Sequence, residues 1–414
     1  MAATFSQRLV VLFAFAIGPV GVLAPKGMTV LVVVAGLAGL ARWAEEGFPR
    51  PSRHYPLAGV LTALALWAAV GTAWSFEPAR ALLLVVRLAG VVVTGAGLLF
   101  AVSRLEPPYR RHAENGLLAG VAAGLATLAV GFFYAKATGD SLWDTYFFDP
   151  LTTLNNGAVA ISLLAWPAMA AAWRRTRTGA VLVVALAYFG FIFLSSGAAL
   201  LAPVLGLVGF IIIWFWGRQG VLALGMVAAV LILLAPQVVT LSLSEDTFKE
   251  IAADLPPSAR HRLAMWSFAA EKIDEKPIWG WGMDASRFIP QDDRRLASNM
   301  ELMPLHPHNA FLQVRLELGV PGIVLVAILV GLFFAGVRKV SDRFTGGVMA
   351  GAGVAYLTVA ALSYGIWQNW WVAFAWGLAA LTGSVLKPPS DGEQTEKPAG
   401  NGSSNSSTGI TLGP

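Results

Sequence analysis

The chain has 414 residues, of which 56% are hydrophobic and 13% charged, with a formal net charge of +5. A soluble globular domain carries roughly 25% charged residues, and here the deficit runs the whole length, which excludes a water-soluble enzyme with a single anchor. No cysteine is present, so disulfides, thiolate nucleophiles and thiolate metal sites are excluded as well.

Apolar runs long enough to cross a bilayer fall at about 8–24, 28–43, 57–74, 81–103, 114–135, 151–172, 179–195, 198–216, 220–241, 320–337, 346–364 and 368–386. The predicted fold class is an all-α polytopic membrane protein with about twelve transmembrane helices. The first run lacks an A-x-A-like cleavage site and reads as a retained span. Most of the fifteen Trp stand near the ends of apolar runs, as in an interfacial belt.

Charge sets the orientation. With the N-terminus inside, the inner loops and their flanks hold Arg42, Arg50, Arg53, Arg104, Arg110, Arg111, Arg174, Arg175, Arg177, Arg218, Arg338, Lys339 and Arg343, while the short outer loops hold Lys26, Arg80 and Lys136. This bias predicts cytoplasmic N- and C-termini by the positive-inside rule. The expected organisation is a transmembrane bundle over 1–241 (spans 1–9), a helical periplasmic cap over 242–319, spans 10–12 over 320–387, and a disordered cytoplasmic tail over 388–414 rich in Ser, Gly, Asn and Pro. A structureless connection as long as 242–319 would be unusual, so the cap is the place to look for chemistry.

Within the cap the sequence predicts two helices joined by a rigid turn. The first runs from about Pro257 to Ile273, with Arg262 and Trp266 on one face and Arg260 on another. The turn is Pro277-Ile-Trp-Gly-Trp-Gly282, in which glycine permits close backbone approach. The second opens near Pro307-His308-Asn309 and ends at Leu318, with Gly319 as its terminating residue and Pro321 beyond. His308 is thus expected in or beside the first helical turn, where partial positive charge favours a neutral imidazole, the form a general base needs. The same helix end suits an anionic phosphate. Arg87 lies inside the fourth span, about 10 Å below its outer end at 1.5 Å per residue, on the same face as Arg80. An intramembrane Arg is expensive and points to function.

At these residues the chain resembles the O-antigen ligase family, within a wider group of membrane glycosyltransferases. The matching stretches are Arg262-Leu-Ala-Met-Trp266, Lys276-Pro-Ile-Trp-Gly-Trp-Gly282, His306-Pro-His-Asn-Ala-Phe-Leu-Gln313 and Leu316-Glu-Leu-Gly-Val-Pro-Gly322. The resemblance implies transfer of a glycan from an undecaprenyl diphosphate carrier to an acceptor hydroxyl, typically a lipid A-core sugar, on the periplasmic face of the bacterial inner membrane. It implies inversion at the anomeric carbon and no cofactor or metal, because arginines hold the diphosphate.

Carried over, His308 is the catalytic histidine and Arg262 a diphosphate ligand, with Arg260 and Arg87 as further candidates and His306, Asn309 and Glu317 in support. Glu317 either pairs with Arg315 or helps orient the histidine. The family often has Arg where this chain has Asn156 and Ser196, so Arg87 is the candidate replacement for a missing clamp. Trp266, Trp279 and Trp281 read as packing or belt residues. Expected partners are the lipid-linked donor, the glycan acceptor and membrane lipids, with no nucleic acid.

Two other functions compete. A polysaccharide polymerase, or an enzyme that moves glycan onto protein, shares the core; such polymerases often carry two large outer loops and an Arg-x10-Gly pattern. Here one large loop is present, and Glu271 and Ile273 stand at that spacing from Arg260 and Arg262. A transporter of lipid-linked substrate should place polar residues near the bilayer midplane, whereas this chain gathers them in the cap.

Overall fold

The computed structural model describes residues 2–48, 55–139, 154–189, 197–242, 255, 257–291 and 301–386. These residues are helical throughout their length-spanning elements and contain no strand. The helices are α1 (Ala2–Leu23), α2 (Met28–Glu45), α3 (Tyr55–Gly71), α4 (Pro78–Ser103), α5 (Pro107–Thr138), α6 (Asn155–Trp173), α7 (Arg177–Phe189), α8 (Gly197–Leu233), α9 (Ala235–Ser242), α10 (Pro257–Glu275), α11 (Ala310–Arg338), α12 (Arg343–Leu362) and α13 (Asn369–Leu386).

Nine of the described helices have the length and apolar composition to cross a membrane. The chain is therefore a multi-pass, all-α membrane protein. The difference from twelve has physical causes. Helix α8 counts once, yet its 37 residues extend about 55 Å at 1.5 Å per residue, against a hydrocarbon core of about 30 Å. Gly217, at φ 53° and ψ −128°, breaks it, so it carries the predicted run at 198–216 and that at 220–241 as far as Leu233. The rest of the second run is α9, which starts at Ala235 beside Pro236, a residue that cannot donate a helical N–H. The run at 368–386 is α13, and that at 179–195 is the short apolar α7, whose continuation beyond residue 189 lies outside the described residues. So do Ser196 and the tail 388–414.

Helix α6 is the axle of the bundle. It touches α1, α5, α7, α8, α12 and α13, and 83% of its apolar window is buried. Its many alanines, from Ala158 to Ala172, let neighbours approach closely, which is how helices associate where lipid is as apolar as leucine. The tightest crossings use glycine. A Cβ on Gly18 of α1 would stand 2.0 Å from the Gly120 carbonyl oxygen of α5. Helix α3 instead leans on α11, and α4 on α2 and α13.

At one end of the bundle sits the cap. Val239 of α9, Met265, Phe268, Ala269, Ala270 and Ile273 of α10, Ile289, Met303, and Leu312 and Leu316 of α11 form a separate apolar cluster. Helix α10 begins where the two prolines predict and runs to Glu275. Helix α11 starts at Ala310 after the Asn309 cap, breaks at Gly319 (φ 63°), and continues into the bundle. The cap helix is thus continuous in chain with a membrane helix, across the break at Gly319.

Candidate active site

The turn after α10 docks backbone to backbone on the break in α11. Trp281 and Gly282 amides donate to the carbonyls of Leu316 and Glu317, each at 2.9 Å, and the Val320 amide donates to Ile278 at 2.9 Å. These bonds satisfy carbonyls that a helix end otherwise leaves open. Glycine is required on both sides: Gly319 is left-handed, and a Cβ there would lie 2.0 Å from the Ile278 oxygen. The Trp side chains are packing residues with polar handles. Trp266 Nε1 donates to the Pro307 carbonyl at 2.7 Å, and Trp281 Nε1 to Lys272 at 2.7 Å. Trp279 is exposed and lies against Trp67.

The bond from Trp266 pins the strand of backbone that carries the histidines. His308 does not enter the helix. It stands one residue before the Asn309 cap with φ 51°, a left-handed conformation uncommon for histidine and of the kind that clusters at functional sites. Asn309 Oδ1 accepts from the Phe311 and Leu312 amides at 3.0 and 3.1 Å, so its part is to start the helix. His306 is buried, and its Nδ1 accepts the His308 amide at 3.2 Å. The two rings are 4.5 Å apart.

The connection between α12 and α13 forms the other wall. His308 Nδ1 bonds the Ser363 carbonyl. A carbonyl only accepts, so Nδ1 carries the proton and Nε2 holds the lone pair. His306 Nε2 stands 3.2 Å from the Gln368 side-chain amide. Gln313 Oε1 accepts the Ile366 amide at 3.0 Å. Tyr364 donates its hydroxyl to Asn156 Oδ1 at 2.8 Å, which ties the wall to the first turn of α6.

Glu317 holds these parts together and pairs with none of the described arginines. Arg315 bonds the Pro277 carbonyl instead. The Glu317 carboxylate is fully buried. It accepts from the Asp284 amide (2.9 Å), the Ser286 amide (3.4 Å) and hydroxyl, Gln313 Nε2 (3.0 Å) and Trp367 Nε1 (2.7 Å). Every neighbour is a donor, an environment matched to an ionised, acceptor-only group. Next to it, Asp284 is bonded by Arg80 Nε at 2.9 Å and Arg287 Nε at 3.2 Å.

The electrostatics favour neutral imidazoles. Burial holds His308 below the ordinary histidine value, and the Arg262 and His261 charges add to this, while the Ser363 bond opposes it. Burial pushes His306 down to about 3, helped by His308 and Arg287. Burial also lowers Arg262, which faces Tyr364; the Tyr364 phenol is raised by burial and stays protonated.

Of the sequence-predicted residues, His308, His306, Arg262, Asn309 and Glu317 are gathered around this point. Arg260 is exposed on α10. Arg87 is exposed on α4, and among the described residues no hydrogen bond or ion pair joins it to the histidines or Arg262. Ser363, Tyr364, Gln368, Asp284 and Arg287 were not singled out by sequence. The available signal was the polar, aromatic stretch Ser363–Asn369 between two apolar runs.

A family model described as O-antigen ligase matches residues 180–327. A Rickettsia conorii protein named "Putative polysaccharide ligase" is 28% identical over 300 residues, covering 70% of this chain and 71% of that one. A Rickettsia bellii protein of the same name is 27% identical over 334 residues, 78% of each chain. One from Rickettsia typhi is 34% identical over 136 residues, 32% of this chain and 34% of that one.

Proposed function

From a multi-pass membrane protein of the O-antigen ligase type, with that domain over residues 180–327, we propose a metal-independent, inverting glycosyltransferase. It moves a glycan from undecaprenyl diphosphate to an acceptor hydroxyl, a lipid A-core sugar being the typical acceptor. The reaction takes place on the periplasmic side of a bacterial inner membrane, with both termini cytoplasmic. The observation that carries the reading is His308. Its Nδ1 is committed to the Ser363 carbonyl, and its Nε2 is left as a neutral base beside Arg262.

In the proposed step the acceptor hydroxyl gives its proton to His308 Nε2 as its oxygen attacks the anomeric carbon. The bond from that carbon to the diphosphate breaks, and the electron pair leaves with the diphosphate. Attack from the face opposite the leaving group inverts the centre. Arg262 meets the charge that grows on the departing oxygen; a guanidinium fork fits phosphate at two points and helps most where it grips harder in the transition state. Arg260 and Arg87 are the further candidates for holding the diphosphate, the second within the membrane-spanning part of α4. His306, Asn309 and Glu317 position the base: one accepts its amide, one caps the helix behind it, and one fixes the wall around it.

The test is transfer from an undecaprenyl-diphosphate glycan to lipid A-core by the purified protein, in EDTA, for wild type, His308→Ala and Arg262→Ala. Activity in wild type alone supports both roles. Equal activity in all three would remove the site.

A further inference from the structure

The connection between α12 and α13 touches both histidines, and its contacts bear on where each ring carries its proton. The Ser363 carbonyl only accepts, so His308 is protonated on Nδ1. For His306 the demand is reversed. Its Nδ1 receives the His308 backbone amide at 3.2 Å, and an amide N–H only donates. Nδ1 therefore holds a lone pair, and a neutral ring with its lone pair there carries the proton on Nε2. Burial, helped by His308 and Arg287, keeps this ring uncharged. The two imidazoles, 4.5 Å apart, thus stand in opposite tautomers.

A buried N–H needs an acceptor, and His306 is 6% exposed. The polar group at His306 Nε2 is the side-chain amide of Gln368, 3.2 Å away. An amide offers either an oxygen or an amino group. The amino group would set donor against donor, so the oxygen, Oε1, faces the ring. Nothing competes for the opposite orientation: the outer atom of the amide is buried and has no hydrogen-bond partner among the described residues. Gln313 is the contrast. Its amide is committed at both ends, to Glu317 at 3.0 Å and to the Ile366 amide at 3.0 Å.

The backbone holds Gln368 in place for this contact. Its amide donates to Gly365 at 3.2 Å, and its carbonyl accepts from Trp371 and Val372 at 2.9 and 3.0 Å, which opens α13. Gly365 lies so close to His306 that a Cβ there would stand 2.8 Å from the ring. The ring is therefore confined by Gly365 and bonded at both nitrogens. What it holds in turn is His308, whose left-handed φ of 51° persists only where the surroundings over-determine it. The bond from the His308 amide to His306 Nδ1 does part of this, and it exists only in the Nε2–H tautomer.

We propose that Gln368 is a positioning residue of the transfer reaction: its Oε1 fixes His306 as the Nε2–H tautomer, and His306 fixes the backbone from which His308 presents its base. The effect on rate rests on the glycosyl-transfer reading, whereas the tautomers follow from the hydrogen bonds alone. Gln368 acts through the two histidines and touches no reacting atom.

The experiment is nitrogen-15 NMR of the full-length purified protein, labelled at histidine, in lipid nanodiscs at a pH above the ordinary histidine value. Each ring is assigned by the loss of its signals when that histidine is replaced. His306 should show a pyridine-type Nδ1 and His308 a pyrrole-type Nδ1. Gln368→Leu should leave His306 in a mixture of tautomers and lower the kcat of transfer by about three- to tenfold, the net worth of one hydrogen bond, with the KM values changed less. Gln368→Glu keeps an oxygen against the ring, and should restore the Nε2–H tautomer and most of kcat. It also covers the case in which Gln368→Leu fails to fold. A pyrrole-type Nδ1 on His306 in wild type would overturn the proposal, and so would a folded Gln368→Leu with wild-type tautomers and kcat. Opposite tautomers in a wild type that transfers nothing would overturn the transferase reading and leave the tautomer assignment standing.

Discussion

At the scale of single residues, the site depends on which nitrogen carries a proton and which groups are donors. His308→Ala is expected to lower transfer by about 10²–10⁴-fold, with a loss of thermal stability of about 1–3 kcal/mol from the unpaired Ser363 carbonyl. The same residue sets a pH dependence. Its value is held below the ordinary 6.5, so the neutral base persists as the medium turns mildly acidic. The acid limb of kcat/KM should fall below pH 6.5; a limb at or above that value would contradict a desolvated histidine. The linkage to stability has the same sign: a histidine with a lowered folded value stabilises fully above its unfolded value and loses that contribution as pH drops below it. Glu317 makes the opposite kind of demand. Glu317→Gln keeps the shape but turns an –NH₂ toward a ring of donors. Leaving buried groups unpaired costs about 1–3 kcal/mol each, so thermal unfolding should show a loss of at least that size together with weak activity.

At the scale of elements, the break in α11 matters most. It lets one continuous stretch serve as cap helix above and membrane helix below. It also opens the carbonyls of Leu316 and Glu317 to the turn after α10. Gly319→Ala sets a Cβ at 2.0 Å from the Ile278 oxygen in a left-handed residue. A cost of about 1–3 kcal/mol for the strain alone, plus displacement of the turn, should separate cap from bundle. Limited proteolysis within the turn at residues 276–284 measures this, and cleavage there no faster than in wild type would contradict it. The pattern of Pro, Gly and apolar residues made both cap helices and their ends legible. It did not reveal the bond that orients the His308 ring, because the Ser363 carbonyl comes from a segment 55 residues later. The apolar runs at 198–216 and 220–241 were legible as two, and Gly217 breaks α8 between them.

At the scale of the whole molecule, the bundle turns one end, with the cap and its histidines, toward one side of the membrane. The chain has no cysteine, which makes sidedness simple to measure. Glu301→Cys should react with an impermeant maleimide on intact cells, and His112→Cys only after permeabilisation; the reverse pattern would invert the proposed orientation. The sequence by itself determined the membrane class, the helical cap and the motif residues, because apolar length, helix punctuation and short-range spacing are local properties. What only the tertiary structure decided is how the site is closed. Ser363, Tyr364 and Gln368 from the α12–α13 connection, Asn156 from α6, and Arg80 with Asp284 and Arg287 meet from separate parts of the chain. Their bonds span up to 208 residues, and such pairings are set by which helices pack together, which no local pattern records.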